Sequence, residues 1–301
     1  MKKLIVIIIV GFSFADNSYA QHEPIFTQYG MNQGVFNPAY SVVNNVVNVA
    51  MMSRVQWVGL QGAPFTNSLL ASTTFFRNKG GAGLIIHNNK YGASNNIEVF
   101  AQASYKLLLG LNTQISVGIQ GGYLNYRNDF TAIEEADLDP VFNTANENVT
   151  VPNIGMGLFF NTNNFYVGIS IPKFMEYNSD ESSSDLLNYK KHYYGSIGGI
   201  LPAGLLKLKV FGLTIITESD FSYELGSSIL LAETIWAGLF TRNLKAFGAM
   251  GQIELTDRLK AGLTIELPST ELVANQYGSY EAFISWEMAV GRKQLLKRRY
   301  F

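Results

Sequence analysis

The chain has 301 residues, a formal net charge of −1 and no cysteine, which excludes a disulfide scaffold, thiol chemistry and the basic surface that nucleic acid requires. Charged residues make up only 15%, where about 25% is usual for a soluble domain. After the first twenty residues no stretch approaches 18 uninterrupted apolar residues. Low charge without a membrane helix leaves the other spanning solution, a closed barrel in which every backbone group is paired between strands.

At the N-terminus, Lys2 and Lys3 precede an apolar run from Leu4 to Phe14, and Ser18-Tyr19-Ala20 places small residues where a signal peptidase reads. A membrane anchor would need about 20 apolar residues, and Asp16 and Asn17 end this run first. Residues 1–20 are therefore predicted to be a signal peptide, with the mature chain starting at Gln21 and losing Lys2, Lys3 and Asp16. Residues 21–45 follow. Pro24-Ile25-Phe26-Thr27-Gln28-Tyr29 and Phe36-Asn37-Pro38-Ala39-Tyr40 are aromatic but do not alternate. Disordered segments are poor in aromatics, so the expectation is a plug folded into a barrel lumen; a disordered leader is the alternative.

From residue 46 onward the pattern has period two. Leu259, Ala261, Leu263, Ile265 and Leu267 alternate with Lys260, Gly262, Thr264 and Glu266. Ile115, Val117, Ile119 and Tyr123 alternate with Ser116, Gly118, Gln120 and Gly122, and Tyr280, Ala282, Ile284, Trp286, Met288 and Val290 with Glu281, Ser285 and Glu287, Phe283 being an inward exception. Such alternation is the mark of a strand with one face to lipid and one to a lumen. The segments are 46–57, 64–76, 81–90, 96–109, 112–127, 153–161, 164–172, 190–201, 205–217, 220–231, 233–242, 246–255, 258–267 and 279–290. This predicts an all-β, transmembrane, up-and-down antiparallel barrel of about 14 strands over 46–290, with twelve or sixteen strands left open. Alternate connections are short, such as Gly110-Leu111 and Thr256-Asp257, whereas 58–63, 91–95, 128–152, 173–189 and 268–278 are longer. Short turns inside and long loops outside fit an outer-membrane barrel with periplasmic termini better than the rival soluble sandwich.

Catalytic and metal chemistry find little support. His22, His87 and His192 are the only histidines, no Gly-x-Ser-x-Gly occurs, and His87 reads as a rim residue. No cofactor or metal is called for. Glu134, Glu135, Asp137 and Asp139 match no EF-hand spacing, so a solvated loop is favoured over calcium. Arg292, Lys293, Lys297, Arg298 and Arg299 form a basic periplasmic tail over 291–301, either solvated or facing an acidic partner or lipid phosphates.

Two groups of residues carry site expectations. The longest loops bear Phe130, Phe142, Phe174, Met175 and Tyr177, apolar anchors of the type enriched at protein interfaces. At the closing seam, strand parity turns Arg54, Glu266 and Glu281 into the lumen at one level. Arg54 is predicted to pair with Glu281 or Glu266 and fix the register of closure, the alternative being three separately hydrated charges.

Pro24 to Tyr29, then Asn37-Pro38-Ala39-Tyr40, then Arg54-Val55-Gln56-Trp57-Val58-Gly59-Leu60-Gln61-Gly62-Ala63-Pro64 resemble the PorP/SprF family of the type IX secretion system. The resemblance continues through Gly81-Ala82-Gly83, Asn89-Lys90-Tyr91-Gly92, Pro152 to Gly157, Tyr166 to Ser170, His192-Tyr193-Tyr194 and Trp236-Ala237-Gly238. The chain departs from the family's habit at Gly262-Leu263-Thr264-Ile265-Glu266, at Gly278-Ser279-Tyr280-Glu281 and at Lys209-Val210-Phe211, which suggests a divergent member serving a different substrate. The resemblance implies a non-enzymatic outer-membrane accessory of type IX secretion in the Bacteroidota. It implies binding of the C-terminal domain of a secreted surface protein, such as a gliding adhesin, together with translocon components. A transporter of small or hydrophobic solutes is the alternative that a plugged barrel equally allows.

Overall fold

A computed structural model describes residues 26–290 apart from 31, 44, 77, 130–146, 178–188, 204–205 and 270–275. The expected signal peptide, the acidic loop residues 134–139 and the basic tail 291–301 therefore lie outside the described residues. Among those described, no helix is long and apolar enough to cross a membrane, so any crossing falls to strands.

Fourteen strands run in chain order: β1 Val46–Val55, β2 Phe65–Phe75, β3 Gly80–Tyr91, β4 Ser94–Leu108, β5 Gln114–Asn128, β6 Glu147–Asn161, β7 Phe165–Ile171, β8 Tyr193–Ala203, β9 Leu206–Ile216, β10 Phe221–Leu231, β11 Ile235–Arg242, β12 Ala246–Glu254, β13 Leu259–Pro268 and β14 Ser279–Ala289. Each pairs antiparallel with its sequence neighbours, and β1 pairs with β14 to close the barrel. An even count with this order is what up-and-down closure requires. Closure leaves no open edge, so the ladder satisfies the backbone within lipid.

The alternation read from the sequence is the alternation observed. Along β14, Ser279, Glu281, Phe283 and Ser285 are buried while Tyr280, Ala282, Ile284 and Trp286 are exposed. Leu69, Ile119, Leu158, Ile169, Leu239 and Leu263 are all exposed, the arrangement expected when one face of every strand meets lipid. Turn chemistry fits as well. Ala232 and Glu233, and likewise Asn243 and Leu244, have positive φ at both positions, the type I′ pattern that matches hairpin twist.

Two expected connections differ. The anticipated longer connection at 91–95 is a two-residue turn between Tyr91 and Ser94, because β3 and β4 continue their ladder to that pair. The connection placed at 128–152 shrinks to 129–146, because β6 begins at Glu147 and pairs with Asn128. The sequence starts this strand at 153 because Asn148, Thr150 and Pro152 occupy its exposed parity, where apolar residues are expected.

Residues before β1 form three short 3-10 helices, Thr27–Gly30, Gln33–Val35 and Pro38–Val42. Asn37 caps the last of these, its Oδ1 accepting from Ala39 N at 3.0 Å, with Pro38 at the first helical position, where its missing N–H costs nothing. Phe26, Tyr29, Phe36, Tyr40, Val42 and Val43 are buried. They join inward-facing wall residues in apolar clusters: Tyr29 and Phe36 with Tyr194, Phe211, Leu213 and Phe240, Tyr40 and Val43 with Phe159 and Tyr166, and Phe26 with Ala50, Met52 and Phe283.

Candidate functional site: a buried charge cluster against the N-terminal segment

Five charged side chains meet on the inward face near the end of the barrel that carries the long connections. Arg54 and Glu281 are direct partners across the β1–β14 seam, and Glu224 and Arg242 are direct partners across β10 and β11. Arg54 Nη2 donates to Glu266 Oε1 at 3.0 Å, and Arg54 Nη1 lies 3.5 Å from Glu281 Oε2. Arg242 Nη2 donates to Glu224 Oε2 at 2.8 Å. Arg242 Nη1 lies 3.0 Å from Glu266 Oε2, at ion-pair distance but not aligned as a hydrogen bond. Glu266 thus bridges two arginines. Arg54 is 2% exposed, as are Glu224 and Glu281, so these charges interact with little screening. A planar guanidinium with several donors suits two carboxylates at once, which lysine would not.

The cluster also holds the start of the N-terminal segment. Thr27 N donates to Glu281 Oε2 at 2.9 Å and Gln28 N to Glu281 Oε1 at 2.7 Å. Arg242 Nη2 donates to Thr27 Oγ1 at 3.1 Å. Gln28 reaches Thr264 through Nε2 at 2.8 Å and accepts from Gln252 at 2.6 Å. Further along, Gln102 Nε2 donates to Gly34 O at 2.9 Å and Ser170 Oγ to Phe36 O at 2.8 Å. At the other end Lys106 Nζ donates to Val42 O at 2.9 Å. Between these anchors the wall is bare: Gly118 and Gly157 are cross-strand partners on β5 and β6. A Cβ on Gly118 would overlap the backbone of Pro38 and Ala39, and one on Gly157 would overlap Asn37 Oδ1.

The long-loop anchors are placed as follows. Phe130 and Phe142 lie outside the described residues. Phe174 and Met175 are exposed directly after β7, and Asn153 fixes them there. Its Oδ1 accepts from Phe174 N at 2.9 Å and Met175 N at 3.0 Å, while its Nδ2 donates to Met175 O at 2.9 Å. Tyr177 forms an antiparallel bridge with Tyr189, and its hydroxyl donates to Pro152 O; partial burial raises its phenol above the ordinary range. Lys191 Nζ sits 4.7 Å from the Phe174 ring centroid, a favourable cation–π distance.

Glu224, Arg242, the two backbone N–H groups and the Asn153 cap escape a reading of the sequence. Glu224 and Arg242 share the inward parity of their strands, but β9 just before them buries Phe211, Leu213 and Ile215. That apolar inner face blurs the alternation across 205–245. His87 stands within β3 with half-buried neighbours, and among the described residues no group of His, Asp or Glu is placed to hold a metal.

Solved structures of similar shape are outer-membrane barrels. One is the Acinetobacter baumannii outer membrane protein Omp33, 9% identical, covering 81% of this chain and 100% of that one at a TM-score of 0.48. Another is the Pseudomonas putida toluene transporter TodX, 10% identical, covering 90% and 95% at 0.48. A Pseudomonas aeruginosa FadL homologue is 10% identical, covering 89% and 95% at 0.44. The functions in those names belong to those proteins. No curated protein sequence matches the chain. The sequence model of one family, the type IX secretion system membrane protein PorP/SprF, matches residues 18–286, nearly the whole length described above. With strands closed into a membrane barrel and the family's match spanning them, this chain is an outer-membrane protein that belongs to the PorP/SprF family of type IX secretion.

Proposed function

We propose that this barrel is a non-enzymatic accessory that binds the C-terminal domain of one secreted surface protein and helps its export or attachment. The family match over residues 18–286 carries the reading. In this account residues 26–43 act as a lumen plug, which leaves a protein-binding role to the rim. The buried contacts of that segment with β4, β7, β13 and β14 support the plug. The short turns and the C-terminal end of β14 face the periplasm, and the Phe174–Tyr177 rim faces the cell surface, where Phe174 and Met175 offer exposed apolar contacts to the substrate. Translocon components and outer-membrane lipid are the remaining partners. A transporter of small or hydrophobic solutes would need an open path, and the buried segment stands against one. A deletion strain separates the two: loss of one surface protein from the cell supports the accessory, while loss of solute uptake with secretion intact overturns it.

A further inference from the structure

Closure pairs the strands within the lipid band, but β6 outruns β7 above it. The β6–β7 ladder ends at Met156 and Ile171, whereas β5 stays paired with β6 up to Glu147. β7 leaves because the chain is drawn inward at Pro172. Gln120 Nε2 donates to Pro172 O at 2.8 Å, and Lys173 Nζ donates to Glu98 Oε1 at 2.8 Å. Glycine at 155 leaves room for this crossing, since a Cβ there would overlap Pro172 O. The outward side chains at this height are polar: Asn125 Nδ2 donates to Asn148 Oδ1 at 2.6 Å and to Thr150 Oγ1 at 2.8 Å. The stretch therefore stands in water, above the exposed apolar Ile154 and Met156.

Main-chain direction alternates along a strand, so this edge can be read residue by residue. Ile154 O accepts from Phe174 N at 2.7 Å, which puts the Ile154 main chain on the side away from β5. Pro152, Thr150 and Asn148 share that direction, while Val149, Val151 and Asn153 turn to β5 in an unbroken register. Pro152 brings no N–H to the edge, and the Tyr177 hydroxyl donates to its carbonyl. Asn148 and Thr150 each present one N–H and one C=O, and among the described residues no strand pairs with them. An unpaired row of this kind is a template for another strand.

We propose that the β6 edge at Asn148 and Thr150 takes one extended segment of the secreted partner as an added antiparallel strand. The inference rests on the reading that a secreted protein is held at this rim, and names the element that joins it. An extended polypeptide is the ligand whose N–H and C=O groups repeat at the spacing of such an edge. The antiparallel direction continues that of β7, and it lets Asn148 and Thr150 each exchange both hydrogen bonds with one residue of the segment. Strand alternation then sets the segment's side chains. On one face they meet the half-buried Val149 and Val151, with Tyr177 beside Val151 in the same cluster, and should be apolar. On the other they meet the exposed Asn148 and Thr150 and should be polar. The ladder stops at Pro152, so the added strand is short, and Phe174 and Met175 lie exposed at its foot.

Thr150→Pro tests this in the full chain. The substitution removes the edge N–H and puts ring atoms where an incoming carbonyl would sit, and it spares the β5 ladder because the Thr150 main chain points away from β5. The variant is expressed in the deletion strain, and the surface protein which that strain loses is quantified on intact cells. The expected result is a barrel of normal mobility on unheated gels with at least a tenfold loss of display. Thr150→Val keeps the N–H and should lose less; a loss as large as that of the proline variant would assign the effect to the side chain and overturn strand addition. Full display with Thr150→Pro overturns strand addition while leaving the accessory role intact. If the deletion strain loses no surface protein, the accessory role fails and the added strand fails with it. Should Thr150→Pro not reach the outer membrane, amide hydrogen exchange of the unaltered barrel gives a second readout. Peptides spanning 147–151 should exchange at least tenfold more slowly in barrel purified with its bound partner than in barrel from cells whose export is arrested. Equal exchange in both overturns the proposal.

Discussion

Replacing Arg54 with alanine should destabilise the barrel more than any other single change at the closing seam. Arg54 is 2% exposed and holds Glu266 at 3.0 Å and Glu281 at 3.5 Å. Its loss strands part of that negative charge in the interior, and breaking a buried ion pair in this way costs about 3–5 kcal/mol. Both carboxylates keep other partners, Glu266 through Arg242 at 3.0 Å and Glu281 through Thr27 N at 2.9 Å and Gln28 N at 2.7 Å. The expected cost is therefore at the lower end, about 3 kcal/mol. Arg54→Ala combined with Glu266→Ala should recover part of this, with a coupling energy of at least about 1 kcal/mol. The assay is urea unfolding of the purified barrel in detergent, followed by the folded band's mobility on unheated gels. A cost for Arg54→Ala within about 0.5 kcal/mol of zero, typical of an unremarkable surface change, would refute the claim that this arginine pins closure. Substrate display should fall only as barrel assembly falls.

Other consequences can be checked independently. Gly118→Val should drive its side chain into the Pro38–Ala39 backbone; overpacking of this kind costs about 1–3 kcal/mol, and proteolysis of the N-terminal segment should speed up before the barrel unfolds. Phe174→Ala with Met175→Ala should weaken substrate retention severalfold without changing the unfolding midpoint, because both side chains are exposed; unchanged retention would remove the rim from the binding surface. Intact mass of the protein from outer membranes should begin at Gln21, and a retained Met1–Ala20 would refute the predicted cleavage.

The barrel was legible because period two is a local signal. Alternation along β5, β13 and β14 shows directly which residues meet lipid. Parity also placed Arg54, Glu266 and Glu281 on one side of the wall, and the seam register did the rest. What was not legible is set by contacts with the N-terminal segment. Phe211, Leu213 and Ile215 face inward and are apolar because they pack around Tyr29 and Phe36, so a rule of polar lumen and apolar lipid face misreads them. Glu224 and Arg242 are hidden for the same reason: their role depends on Thr27, which is 197 and 215 residues away in sequence. Alternation marks Asn153 as a strand residue, and its second role as a cap for Phe174 and Met175 depends on where β7 stops.

The central claim is that this barrel holds a secreted polypeptide rather than passing solute. It is tested most directly by placing a photo-crosslinking amino acid at Phe174, irradiating intact cells and sequencing what is attached. The account predicts one secreted protein, joined through its C-terminal domain, and missing from the surface of the deletion strain. Crosslinks to no secreted protein, from a barrel that conducts a solute across planar bilayers, would contradict it.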